Sequence, residues 1–320
     1  MGPFVVLQLL LLLLLWWWPV VATSVSLNFS VAMPGCQEKC GNITVPYPFG
    51  FGASNCYRPG YQLICNHSYN PGPKLFTFSQ YQALQVFSVS IEGQLQTLSV
   101  LARDCYGISG ENTFNFDPLN WLGGPFTYSD TENRFTVLGC DTVATISDWQ
   151  NNWNFSSGCI LACNSQNFVN NGTCSIGCCQ TLIPKGYKYL YINITSYHNH
   201  TDIWSFNPCG SAFLVGKDWL NFSLSSLSDG FNVTIQELPV VLDWAIEWSD
   251  QNKTKNHSCL NEPSYACGNN SNCSESKNGL GYSCNCTKGY QGNPYLPVGC
   301  QGNPFPPLSF SLPYLYNFFF

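Results

Sequence analysis

Eighteen cysteines, an even number and all of them downstream of an apolar N-terminal run, most constrain what this chain can become. Reducing compartments keep thiols free, and cytosolic chains seldom accumulate so many; oxidising compartments turn them into staples. Zinc is the competing use of cysteine. No C-x-x-C occurs, and His67, His198, His200 and His257 do not pair with Cys at finger spacing, so disulfides are the expected use. The pair His198 and His200 reads as part of an exposed loop rather than as metal ligands.

The N-terminus agrees with an oxidising destination. Phe4 to Trp18 is apolar apart from Gln8, Pro19 breaks the run, and Val20-Val21-Ala22 supplies small residues. That pattern predicts a secretory signal over 1–22, cleaved after Ala22. The run is also just long enough for an uncleaved anchor, but Pro19 and the small-residue step favour cleavage.

Asn-x-Ser/Thr triplets begin at Asn28, Asn42, Asn66, Asn154, Asn171, Asn193, Asn199, Asn221, Asn232, Asn252, Asn256, Asn269, Asn272 and Asn285. So many acceptors behind a signal predict a glycan-coated surface. Cys in the middle of the triplets at Asn272 and Asn285 makes those two poor acceptors. Only 9% of residues are charged, 12 basic against 18 acidic, for a net charge of −6. With no basic tract, nucleic-acid binding has no source of counterion release. Glycans would supply the hydration that so few charges cannot.

Short runs in which β-branched or aromatic residues alternate with polar ones predict strands at Val86–Ile91, Leu95–Leu101, Phe135–Leu138, Tyr187–Thr195 and Phe231–Ile235. Val240 to Trp248 is the best helical stretch and is short. The fold class expected is β-rich, disulfide-stapled and multidomain: a small β-type cysteine-rich region followed by a compact cysteine module. The chain divides into a signal (1–22), a lead-in (23–35), cysteine-rich regions at 36–140 and 141–258, a module at 259–300 and an irregular tail (301–320). In that tail Gln301-Gly302-Asn303-Pro304-Phe305 echoes Gln291-Gly292-Asn293-Pro294-Tyr295. Its apolar end is too short and too rich in Pro for a membrane span.

Six cysteines fall between 259 and 300, where too little apolar surface exists to fold unaided. Cysteine spacing leaves their pairing open. Cys284-Asn285-Cys286, then Gly289-Tyr290 and Cys300, resembles an epidermal-growth-factor-like module. The resemblance implies the bonds Cys259–Cys273, Cys267–Cys284 and Cys286–Cys300. Calcium-binding versions carry acids before the first cysteine; here Lys255-Asn256-His257-Ser258 offers no carboxylate, so no metal or cofactor is expected.

Several stretches, in order, resemble the extracellular region of plant wall-associated receptor kinases. They are Cys36-x3-Cys40-Gly41-Asn42-Ile43, Pro46-Tyr47-Pro48-Phe49-Gly50, Leu63-Ile64-Cys65, Arg103-Asp104-Cys105, Gly177-Cys178-Cys179-Gln180, Cys209-Gly210-Ser211 and Trp244 to Trp248. The resemblance implies non-catalytic binding of pectin or oligogalacturonides in the cell wall, with a membrane receptor as a further partner. The family's kinase motifs, a Gly-rich phosphate loop and the His-Arg-Asp and Asp-Phe-Gly segments, do not occur in this sequence. Catalysis has no nucleophile or acid/base constellation to rest on. A second function class is a protein-binding decoy or co-receptor acting through the growth-factor-like module.

Two windows lack acids. Glu38 to Glu92 contains Lys39, Arg58 and Lys74 with Tyr47, Tyr57, Tyr61 and Tyr69; Asp148 to Asp202 contains Lys185, Tyr187 and Lys188. A polyuronate is an anion, so these windows are its expected contact. Arg58 would grip a carboxylate in two-pronged fashion. Lys74, Lys185 and Lys188 would act as point charges, and Tyr47, Tyr57, Tyr61 and Tyr187 would stack on sugar faces.

Overall fold

The computed structural model describes residues 29–78, 83–148, 155–172, 174–228, 238–249, 258–277 and 280–302. The expected signal, the run Phe231–Ile235, the tail beyond 302 and the triplets at Asn28, Asn154, Asn232, Asn252 and Asn256 lie outside them. The described residues are β-rich, with helical turns confined to short 3-10 segments such as Ser54–Cys56. No helix among them is long and apolar enough to cross a membrane.

Three antiparallel sheets form the body. The first runs in the spatial order Phe126–Tyr128, Pro239–Trp244, Gln94–Leu98, Ala83–Ser90, Lys74–Phe78, Ile64–Asn66. A second orders Cys178–Thr181, Asn133–Leu138, Cys209–Gly216, Leu101–Tyr106 and Asn112–Phe116. A third orders Ser156–Ala162, Asp141–Ser147, Tyr189–Thr195 and Leu119–Trp121.

One expectation needs correction here. The stretch from Val240 is not helical: Pro239–Trp244 is a strand between Gln94–Leu98 and Phe126–Tyr128. Val240, Leu242 and Trp244 are buried while Val241 and Asp243 are only partly so. That is the two-residue period of a pleated strand, which β-branched Val favours. Pairing also runs across residue 140. Asn133–Leu138 pairs with both Cys178–Thr181 and Cys209–Gly216, and Cys105 is bonded to Cys209 across 104 residues. Grouping cysteines along the sequence cannot reveal pairing over such distances.

All eighteen cysteines are bonded, in nine disulfides. The twelve of the body pair as Cys36–Cys56, Cys40–Cys65, Cys105–Cys209, Cys140–Cys163, Cys159–Cys179 and Cys174–Cys178. Those of the module pair as Cys259–Cys273, Cys267–Cys284 and Cys286–Cys300.

The module is packed against the body. The strand Ile246–Glu247 pairs with Gly281–Cys286, Ile246 facing Tyr282 and Glu247 facing Gly281. Trp244 stacks near Tyr295 with ring centroids 5.3 Å apart. The Asn293 amide donates to the carbonyls of Val31 (2.8 Å) and Tyr47 (2.6 Å). The Gln-Gly echo folds on itself, Gln291 pairing with Gln301. Buried aromatic contacts of this size carry much of an interface's energy, so module and body share one core.

Candidate binding site

The site begins with the Pro46-Tyr47-Pro48-Phe49-Gly50 loop. Phe49 is fully buried, edge-on to Tyr61 (5.3 Å) and Trp244 (5.0 Å) and stacked on Phe126 (5.8 Å). Gly50 must lack a side chain, because a Cβ there would lie 2.1 Å from the Cys56 carbonyl oxygen. The Gly50 carbonyl accepts from Leu63 N–H, and the Pro48 carbonyl from Arg58 N–H. This fixes residues 57–63 against the first sheet. Tyr61 and Leu63 point inward while Gln62 is exposed, again by the alternation of extended backbone.

On the outer side of that segment lies an open groove of about 520 Å³, lined by Tyr57, Gly60, Gln62, Thr77, Phe78, Trp121, Gly123, Gly124 and Phe126. Phe78 ends its strand 56% exposed. Trp121 is steadied by Tyr189, its partner in the neighbouring strand, at 4.9 Å. Phe126 is buried and floors the groove over Phe49. Gly124, at φ +65°, turns the chain so that its would-be Cβ sits 3.5 Å from the Gly60 carbonyl, and the two loops meet there. Aromatic faces beside an amide and open backbone suit a ring with apolar faces and polar edges, such as a pyranose.

One cation stands at the rim. The Lys188 ammonium donates to the Gly124 carbonyl (2.6 Å) and to Glu247 Oε1 (2.9 Å). Both side chains of this ion pair are partly exposed, at 22% and 38%, so water screens it and it stabilises the fold by less than about 1 kcal/mol. Arg58, next to Tyr57, donates through Nη2 to the Ser264 carbonyl of the module.

Of the expected contacts, Tyr57 lines the groove and Lys188 reaches it at the Gly124 carbonyl, whereas the Arg58 guanidinium lies on the module's Ser264 carbonyl. Other expected contacts lie elsewhere. Tyr61 is a correction: it is 4% exposed and donates its hydroxyl to the Ala245 carbonyl at 2.6 Å, so its ring stacks on core aromatics and not on a sugar. Burial pushes its hydroxyl well above the ordinary phenol range. Tyr47 is half-buried against the core, and Tyr187 packs beside Phe155 at 5.4 Å. Lys74 reaches Gln85 Oε1 (3.3 Å) and lies over the Tyr69 ring at 4.9 Å, four residues up the strand from Phe78. Lys185 is exposed, three residues before Lys188. Sequence reading missed Gln62, Thr77, Phe78 and Trp121. Phe78 sits where the strand pattern breaks into the exposed class, and Trp121 precedes Gly123-Gly124; neither signal distinguishes a groove wall from ordinary core.

Among the glycosylation triplets, Asn42, Asn171, Asn199 and Asn221 are exposed. Asn66 is half-buried, and Asn193 is half-buried with its amide nitrogen donating to Asp117 at 2.8 Å.

A second cleft, of about 460 Å³, has contrary chemistry. It is walled by Phe168, Ile176, Tyr197 and Ile203 and carries Asp141, Asp202 and His198. Burial pushes the Asp141 carboxyl up, but hydrogen bonds from Ser196 Oγ and from the N–H groups of His200, His198 and Tyr197 outweigh it and hold the group below the usual carboxylate range.

A family model described as wall-associated receptor kinase galacturonan-binding matches residues 36–102. That segment supplies Tyr57, Gly60, Gln62, Thr77 and Phe78 of the groove. Relatives from Arabidopsis thaliana include wall-associated receptor kinase 2, 41% identical over 272 residues, covering 83% of this chain and 34% of the relative. Wall-associated receptor kinase 4 is 35% identical over 276 residues, with 84% and 34% covered. Wall-associated receptor kinase 1 is 32% identical over 275 residues, with 83% and 34% covered. The chain therefore spans about a third of the length of these relatives. No solved structure matches it. Residues 36–102 are thus similar to the wall-associated receptor kinase galacturonan-binding model, and 83% of the chain is similar to part of wall-associated receptor kinase 2.

Proposed function

We propose that the protein binds pectin, as galacturonan or its oligomers, in the plant cell wall without catalysing its breakdown. The observation that carries this reading is the groove itself: Tyr57, Phe78 and Trp121 offer aromatic faces, and Gln62 offers an amide. Lys188 stands beside them, on the Gly124 carbonyl. Five of the nine lining residues come from the segment that matches a galacturonan-binding model. Sugar rings would stack on the aromatics while their carboxylates lean toward the rim cation. On this reading the protein acts outside the cell, in the wall, beside or as part of a membrane receptor.

Equilibrium binding of de-esterified oligogalacturonate to the intact protein and to a Phe78→Ala, Lys188→Gln double variant tests it. The reading expects saturable binding that the double variant loses. Equal binding by both proteins, or release of new reducing ends from the oligomer, would contradict it.

A second reading, recognition of a partner protein, is favoured by the cleft of Phe168, Ile176 and Tyr197. Its carboxylates Asp141 and Asp202 repel a polyuronate and suit a cationic segment. Retention of such a partner in the presence of free oligogalacturonate would support it.

A further inference from the structure

Glu247 links the groove to the growth-factor-like module, and we propose that its carboxylate stands in for a ligand carboxylate, so that polyuronate binding and the docking of the module's edge compete. The inference rests on the galacturonan reading above. Lys188 Nζ is held between the Gly124 carbonyl, on the groove, and Glu247 Oε1, on the side of the module. A uronate approaching along the groove meets an ammonium already occupied by a group of the same charge and the same acceptor chemistry. Two carboxylates drawn to one cation repel each other, so the incoming one displaces Glu247 or binds weakly.

Glu247 is no loose surface residue. It is half of the strand Ile246–Glu247, whose partners are Tyr282 and Gly281 of the module. Ile246 is buried at 1% exposure and Tyr282 at 0%, so movement of the Glu247 backbone is felt at that pair. Arg58, next in sequence to the groove residue Tyr57, is itself engaged by the module, at the Ser264 carbonyl. Lys188 is therefore held by the strand that meets the module, and Arg58 by the module itself. Contacts farther away, Trp244 with Tyr295 and Asn293 with Val31 and Tyr47, do not involve the rim. The change is thus local: occupation of the groove frees the Glu247–Gly281 edge while the module stays attached. By linkage, loosening that edge strengthens ligand binding to the same degree.

The test uses the full chain, the Glu247→Gln variant, and Glu247→Gln in a Lys188→Gln background, with de-esterified oligogalacturonate as the probe. Calorimetry reads affinity, and hydrogen exchange reads the amides of 246–247 and 281–282. The coupling predicts that Glu247→Gln binds about 5-fold or more tightly. That gain vanishes when Lys188 is Gln, which separates competition for one cation from a general loss of negative charge. It also predicts that ligand speeds exchange at 281–282 in the unmodified chain and leaves it unchanged in Glu247→Gln. Binding with equal affinity in the unmodified and Glu247→Gln chains, and no change in exchange, overturns the coupling alone. Absence of binding in every chain overturns the galacturonan reading and the coupling with it.

Discussion

The Tyr61 hydroxyl donates to the carbonyl of Ala245, 184 residues away, at 2.6 Å. Tyr61 belongs to the segment that positions the groove, and Ala245 sits between the last strand of the first sheet and the short strand that meets the module. One buried hydrogen bond thus ties groove, sheet and module together. Tyr61→Phe keeps the ring and leaves the Ala245 carbonyl buried and unsatisfied, a loss of about 1–3 kcal/mol. Urea unfolding should show the midpoint fall by a corresponding amount. An unchanged midpoint would mean that water replaces the bond and that the tie is weak.

Trp244 is the packing counterpart of that bond. It touches Phe49, Tyr61 and Tyr295, and its indole N–H donates to the Ser90 carbonyl at 3.1 Å. Trp244→Ala should cost about 3–5 kcal/mol and expose the 258–300 segment to protease under conditions in which the unmodified protein resists. Stability lost without faster cleavage there would show that the module is held by other contacts.

Phe78 offers the opposite case, since it is more than half exposed and contributes little to the core. Phe78→Ala should leave thermal stability unchanged and weaken polyuronate binding several-fold, the loss of one aromatic contact worth about 0.5–1.5 kcal/mol. A variant that binds as tightly as the parent would move the sugar site away from this groove.

His200 predicts the response to acid. Contrary to the exposed loop expected for the His198 and His200 pair, only His198 is exposed; His200 is 1% exposed, stacked 5.5 Å from Tyr106, with Nδ1 against the Asn207 carbonyl at 2.7 Å. Burial lowers its pKa from the ordinary 6.5, opposed by the Asn207 carbonyl and the charges of Asp141 and Asp104. The unfolded chain therefore binds this proton more readily, and stability falls as pH drops below about 6.5. Unfolding free energies measured from pH 7 to 5 should slope downward, and His200→Gln should flatten that slope whatever its effect at pH 7. A slope that survives the substitution would assign the proton elsewhere. Asp141, held low by its donors, adds a separate loss only as pH falls below its ordinary 3.8.

How much of this could be read from residues alone varied with the range of the interaction. Strands such as Phe135–Leu138 were legible because alternation is local. The disulfide use of cysteine was legible from number and context. Tyr61 was misread because an aromatic between polar neighbours looks the same whether it turns outward or inward; the Gly50–Leu63 contact that turns it inward joins residues only the fold brings together. The stretch Val240–Trp248 was misread because its apolar residues suit either period over so short a length. The charge of Lys188 is legible in the sequence, yet its ion pair with Glu247 spans 59 residues and is set only by the fold. Trp121 and Phe78 became groove walls only through the pairing of distant strands.

Binding of de-esterified homogalacturonan by the glycosylated protein, titrated with salt and with a calcium chelator, tests the central claim most directly. Saturable binding that weakens as salt screens the rim cation, and that survives the chelator, is the predicted result. Binding that the chelator abolishes, or no binding at any ionic strength, would contradict direct recognition by this groove.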